Sequence, residues 1–69
     1  MPTIRVEMFP GRSADQKRAL VRELTEGAVR ALGVPPGAVE VQLFEIPRDA
    51  WAVGGVLYSD KDAAAPPTL

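Results

Sequence analysis

Side chains that could carry acid–base or nucleophilic chemistry near neutral pH are scarce in this sequence, which contains neither His nor Cys. A general base of the imidazole type and a thiolate nucleophile are therefore both missing. The Ser and Thr hydroxyls have no imidazole to activate them, so a Ser-His-Asp arrangement cannot form. Only carboxylates remain as charged metal ligands, and no phosphate-binding loop is present. Ordinary side-chain chemistry thus predicts no metal site, no cofactor and no enzyme.

The exception is Pro2, which follows the initiator Met1. Initiator methionine is usually removed before proline, and its removal would leave Pro2 with a free secondary amine. An α-amino group has an ordinary pKa of about 7.7–8.0, and an apolar pocket beside a cation disfavours its charged form. We therefore expect a lowered pKa that makes the Pro2 nitrogen a general base. The alternative is a proline without a role, as is common at this position.

Charge and length narrow the range of partners. The chain has 69 residues, with 8 Lys and Arg against 9 Asp and Glu, and a net charge of −1. Nucleic acid is not an expected partner, because phosphates require a basic surface. No apolar run approaches the roughly 20 residues of a membrane span, and the first residues lack a secretory-signal pattern. The sequence predicts a cytoplasmic protein that does not bind membranes.

Hydrophobic periodicity predicts a single β-α-β unit of the α/β class. Apolar residues alternate over residues 3–9 and again over residues 39–46, as in strands with two different faces. Between them, Ser13 and Gln16 have the spacing of a capping box, and an apolar stripe predicts a helix over Ala14–Leu32. Two strands joined through one helix run parallel, with a right-handed crossover.

The remainder of the chain predicts a short hairpin and a tail. Residues 51–58 form two extended pieces around a glycine pair, which favours a small hairpin. Residues 63–69 are rich in Ala and Pro, and we expect a loose C-terminal tail there. The sequence thus predicts one domain over residues 1–62.

This unit leaves one face of its sheet uncovered. Phe9, Phe44 and Ile46 lie on the face opposite the helix, and no further element is available to cover them. Parallel sheets are normally covered on both faces, and both strands here are edges. A chain of this length is also marginally stable alone, and without Cys it has no disulfide support. We therefore predict a homo-oligomer that pairs and stacks these sheets.

The order of several short segments resembles the 4-oxalocrotonate tautomerase family of the tautomerase superfamily. The resemblance covers about residues 2–60. The segments that carry it are Pro2, Gly11-Arg12-Ser13, the helix start Ala14-Asp15-Gln16-Lys17, and Trp51-Ala52-Val53-Gly54-Gly55.

This resemblance implies a cofactor-independent enzyme that interconverts the enol and keto forms of a small unsaturated carboxylic acid. It implies a homohexamer, typically a trimer of dimers, with Pro2 as general base in a pocket between subunits. Arg12 would pair with the substrate carboxylate, as its planar guanidinium suits, and Trp51 would wall the pocket. The alternative for Arg12 is an ion pair with Asp15 or Glu7. The alternative for Trp51 is a place in the core or in a subunit interface.

Glu40 departs from the family pattern. The best-known tautomerases have at this position an arginine that binds the far end of a dicarboxylic substrate. A carboxylate would repel that group and hold the Pro2 amine protonated. We therefore expect a monocarboxylate, or a substrate with a neutral or cationic distal group. The alternative for Glu40 is an ion pair with Arg5 or Arg48.

Two other functions remain open from the sequence. Glu40 could direct water onto an unsaturated or halogenated acid while Pro2 stays protonated, which would give a hydratase or a dehalogenase. A member of the family that has lost catalysis would instead persist as an assembly or binding module.

Overall fold

The computed structural model describes residues 1–62, which form a β-α-β unit followed by a hairpin and a short helix. Two single-turn 3-10 helices, Pro36–Ala38 and Arg48–Ala50, connect these elements. The elements are β1 (Thr3–Met8), α1 (Ala14–Leu32), β2 (Glu40–Glu45), β3 (Ala52–Val53), β4 (Val56–Leu57) and α2 (Tyr58–Asp62). The predicted β-α-β unit is confirmed, with each strand slightly shorter than its sequence pattern.

The two main strands form a parallel pair, as predicted. Thr3 lies opposite Glu40, and Met8 lies opposite Glu45. The ladder continues before β1, because the backbone N–H of Glu40 donates to the carbonyl oxygen of Pro2 at 2.9 Å. The amino-terminal proline and the start of β2 are therefore held together by main-chain bonding.

Local signals fix both ends of α1. The Ser13 side chain accepts a hydrogen bond from the backbone N–H of Gln16 at 3.1 Å, and the Gln16 side chain accepts one from the Ser13 N–H at 2.9 Å. This is the predicted capping box. At the other end, Gly33 adopts a left-handed conformation with φ 69° and donates to the Val29 carbonyl at 2.9 Å. Glycine suits this position because it lacks a Cβ.

Helix α1 packs on one face of the sheet. Side chains alternate along both strands between half-buried and exposed, as expected of a sheet covered on one side. An ion pair between Lys17 on α1 and Glu45 at the end of β2 also links helix and strand. The half-buried positions of the strands are Thr3, Ile4, Val6, Met8, Val41 and Leu43.

One chain does not complete a hydrophobic core. Within the described residues no side chain is fully buried. Phe44 on the outer sheet face stays 43% exposed, and the hairpin residues Val53 and Val56 stay 49% and 43% exposed. Large apolar side chains left exposed in this way are expected where another molecule packs.

The C-terminal part differs in one respect from its prediction. Strands β3 and β4 form the expected antiparallel hairpin, and its turn uses Gly54 and Gly55 with φ of 62° and 80°. However, Tyr58 was assigned to an extended piece, and it instead begins α2. Its backbone N–H donates to the Trp51 carbonyl at 2.8 Å, which turns the chain back beside the hairpin. The predicted tail, residues 63–69, lies outside the described residues.

Candidate active site

A cleft of about 540 Å³ opens where β1 ends and α1 begins. A volume of this size is typical of small-molecule sites. Apolar side chains make most of its lining, and one acidic and one basic residue complete it. The lining includes Met8, Leu20, Phe9, Trp51, Glu7 and Arg12.

Arg12 is the basic residue of this cleft. It follows Gly11, whose φ of 118° turns the chain between strand and helix. The alternative ion pair of Arg12 with Asp15 or Glu7 is not formed in the part of the chain that the structure describes. Asp15 instead accepts a hydrogen bond from Arg18 at 2.8 Å. The Arg12 guanidinium is exposed, so it can receive an anionic group from solution.

Trp51 forms an apolar wall of the same cleft. Its side chain is half-buried, and its ring centroid lies 4.7 Å from that of Phe9 at an angle of 56°. The structure thus brings Trp51 and Arg12 to one cleft, which combines a single cation with an aromatic surface.

Pro2 and Glu40 lie together at the opposite end of β1. Besides the backbone bond between them, the Glu40 carboxylate accepts a hydrogen bond from the Thr3 hydroxyl at 3.4 Å. Arg5 does not form the alternative ion pair with Glu40 within residues 1–62, and the Arg48 guanidinium lies over the Phe9 ring. The Glu40 side chain therefore lies beside the start of β1, close to the Pro2 backbone.

The length of β1 separates these two pairs of residues within one chain. At about 3.3 Å per residue, the strand from Thr3 to Met8 is about 17 Å long. Pro2 precedes this strand, and Arg12 follows it. One chain therefore contains two half-sites, and neither half contains all four of the residues singled out from the sequence.

Three residues of the cleft region were not assigned to the site from the sequence. The Phe9 ring centroid lies 5.1 Å from that of Tyr58, and the Arg48 guanidinium carbon lies 4.3 Å from the Phe9 centroid. The sequence pattern predicts interface packing for Phe9. Phe9 lies three residues before Arg12 in the sequence, and this short spacing could have indicated that Phe9 lines the cleft. The sequence around Tyr58 and Arg48 has no comparable signal.

The described residues lack two further features, a metal-binding cluster and a membrane-spanning helix. His, Cys, Asp and Glu side chains do not group there in threes that could hold a metal ion. None of the helices within residues 1–62 has the length and apolar character needed to cross a membrane.

Comparison with known proteins matches this sequence and fold to one family. The family model described as "Tautomerase enzyme" matches residues 2–61. A 2-hydroxymuconate tautomerase of Comamonas testosteroni is 36% identical over 56 residues, which are 81% of this chain and 89% of that protein.

Solved structures agree with the sequence matches. The crystal structure of a 4-oxalocrotonate tautomerase homologue superposes with a TM-score of 0.80 and 52% identity, covering 87% of this chain and 95% of the other. A heterohexameric 4-oxalocrotonate tautomerase from Chloroflexus aurantiacus has a TM-score of 0.80 and 37% identity, covering 87% and 97%. The chain therefore belongs to the tautomerase family, within its 4-oxalocrotonate tautomerase group, and it is a tautomerase enzyme.

Proposed function

We propose that this tautomerase interconverts the enol and keto forms of a small unsaturated carboxylic acid, with Pro2 as the general base. The observation that carries the proposal is the cleft, where Arg12 has no protein partner in the described chain and lies in the same cleft as the apolar wall of Trp51. A guanidinium of this kind suits a carboxylate, and the apolar lining suits a carbon skeleton.

The chemistry needs only one proton to move. The Pro2 amine, exposed by removal of Met1, takes the enol hydroxyl proton and delivers a proton to carbon, which gives the keto form. The reverse direction uses the same two transfers. Arg12 holds the carboxylate through paired N–H bonds, which orients the reacting carbon toward the amine. Such a reaction requires no cofactor.

Assembly follows from the distance between the half-sites. Pro2 of one copy has to meet Arg12 and Trp51 of another copy, since β1 keeps them apart within a chain. The exposed outer face of the sheet supports such pairing, and the related Chloroflexus protein is a heterohexamer. We therefore propose a homo-oligomer, a hexamer built as a trimer of dimers, with sites between subunits.

Glu40 limits the substrate. Its carboxylate lies beside the Pro2 end of the site, where it repels a second carboxylate. The substrate we propose therefore has one carboxylate and a distal group that is neutral or cationic. This substrate differs in class from 2-hydroxymuconate, the dicarboxylate for which one relative is named.

Replacement of Pro2 by Ala tests the general base. With phenylenolpyruvate as substrate, we expect kcat to fall by at least about 10²-fold, the usual contribution of a positioned base. Pro36→Ala makes the same substitution in the 3-10 helix far along the chain and should keep full activity. Intact mass of the active protein must also show that Met1 is absent. Undiminished turnover in Pro2→Ala, or active protein that retains Met1, contradicts the mechanism.

A second candidate reaction is water addition, and the position of Glu40 beside Pro2 favours it. Here the carboxylate activates water while the protonated Pro2 amine donates a proton to the unsaturated acid. Release of halide from a 3-haloacrylate would support this reaction. Glu40→Gln should then abolish halide release, whereas a tautomerase keeps its activity in the same variant.

A further inference from the structure

A smaller cavity of about 230 Å³ adjoins the cleft, and we call it the side cavity. The cleft and the side cavity share Met8, Arg12 and Leu20 in their linings, so Arg12 borders both. The side cavity is completed by Gln16 and Lys17, which do not line the cleft. A second cation, Lys17, therefore borders the same space as the Arg12 guanidinium.

The charge of Lys17 is already used within the chain. Its ammonium forms an ion pair with the carboxylate of Glu45, the last residue of β2. Glu45 follows Val41 and Leu43 along the strand face that α1 covers, and it lies opposite Met8 in the parallel ladder. The two charged side chains are only 35% and 32% exposed, so solvent ions screen this pair less than a pair on the open surface.

We propose that Glu45 is a specificity-determining residue: by holding Lys17, it keeps a second cation from the ligand and biases the Arg12 site toward singly charged carboxylates over doubly charged groups. A carboxylate matches the guanidinium of Arg12 through two parallel N–H bonds. A dianion such as a phosphonate carries twice the charge, so it gains more from a second cation at the same place. This inference rests on the proposed function, because it takes Arg12 as the residue that holds the substrate carboxylate.

Two acids with the same alkyl chain, hexanoate and hexylphosphonate, measure this bias without catalysis. Trp51 is the single tryptophan of the chain and lines the cleft, so its fluorescence reports binding there. Titrations of the full-length protein, at a pH where the phosphonate is a dianion, give the ratio of the two dissociation constants. This ratio cancels any loss of folded protein, because both ligands meet the same sample.

The two members of the ion pair should move this ratio in opposite directions. Glu45→Gln frees Lys17, and it should improve hexylphosphonate relative to hexanoate by about two- to fivefold, as expected of a partly exposed charge. Lys17→Gln leaves the Glu45 carboxylate without its partner and should shift the ratio toward hexanoate. Asp15→Asn breaks an exposed ion pair with Arg18 on the same helix, and it should leave the ratio unchanged.

A purely structural ion pair gives a different result, because losing either member then has the same effect. An unchanged ratio in Glu45→Gln, or a shift of the same sign in Glu45→Gln and Lys17→Gln, overturns the inference. If Glu45→Gln does not fold, Lys17→Gln decides alone, and a ratio that fails to move toward hexanoate is the contrary result.

Failure of this inference differs from failure of the proposed function. Hexanoate binding that Arg12→Gln leaves unchanged removes Arg12 from the site, and the proposed function loses its carboxylate partner. Binding that depends on Arg12, with a ratio that Glu45→Gln does not move, leaves the proposed function standing and removes only the role of Glu45.

Discussion

The backbone N–H of Glu40 donates to the carbonyl oxygen of Pro2 at 2.9 Å, so Glu40 lies next to the residue that we propose as the base. A negative charge close to an amine favours its protonated form, so we expect the Glu40 carboxylate to raise the pKa of the Pro2 amine. Because the base must be unprotonated to act, the ascending limb of the pH–rate profile reports this pKa.

Glu40→Gln should therefore move the ascending limb of kcat/KM to lower pH, since removing the charge lowers the pKa of the Pro2 amine. It should also improve the use of dicarboxylic enols over monocarboxylic ones. The measurement is kcat/KM against pH for both acids. Glu23→Gln removes the same charge from an exposed position on α1 and should change neither quantity. An unmoved profile in Glu40→Gln argues against any influence of Glu40 on the amine.

Arg12 should contribute mainly to substrate binding. Arg12→Gln removes charge-assisted hydrogen bonds worth about 1.5–3 kcal/mol, so we expect kcat/KM to fall on the order of 10- to 100-fold. Steady-state kinetics should assign most of the loss to KM. Arg22→Gln, which neutralises an exposed arginine elsewhere on α1, serves as the control. Equal kinetics for the two variants would remove Arg12 from the site.

The capping box should stabilise the assembled protein measurably. Ser13→Ala removes the acceptor of the Gln16 N–H, and it should lower the free energy of unfolding by about 1 kcal/mol per chain. Urea unfolding measures this difference, at one fixed protein concentration because assembly and stability are linked. Ser59→Ala is a matched substitution outside the box. A Ser13→Ala midpoint no lower than that of Ser59→Ala is the contrary result.

The outer face of the sheet should be the assembly surface. Phe44→Lys places a charge where we propose that another copy packs, and burying an unpaired charge is costly. Sedimentation should show smaller species, with activity lost in proportion, although Phe44 does not line the cleft at the end of β1. Glu23→Lys also adds a cation, on the outside of α1, and should sediment like the wild type. A Phe44→Lys oligomer of unchanged size points to a different surface.

Short-range sequence patterns correctly predicted the helix and the two strands of the β-α-β unit. The cap at Ser13 and the apolar stripe gave α1 its bounds, and strict alternation gave the two parallel strands. Helix α2 was missed because it has five residues, too few for a periodic pattern, and is held by packing of Tyr58 on Phe9. The position of Phe9 at the cleft was missed for a related reason. Strand β1 ends at Met8, so the alternation of the strand no longer predicts on which face of the sheet the Phe9 side chain lies.

The sequence offered candidate residues for the site but no arrangement of them. Resemblance supplied Pro2, Arg12 and Trp51, and the structure puts the last two in one cleft. Their distance from Pro2 follows from the length of β1 in space, and the residue pattern does not show which residues that length separates. Which half-sites come together depends on the surfaces through which the chains assemble. In a single sequence, exposed apolar residues are the only sign of those surfaces.

The separation of the two half-sites along β1 has a genetic consequence. Suppose that one inactive copy carries Pro2→Ala and another carries Arg12→Gln. When they are unfolded and reassembled together, some clefts receive an intact base from one parent and an intact guanidinium from the other. With the roles that we propose for Pro2 and Arg12, we expect such mixtures to regain activity that neither parent has, and two damaged alleles to complement each other in one cell. Extreme dilution should have the opposite effect. Each separated chain then carries both half-sites, but the two cannot meet without a second chain.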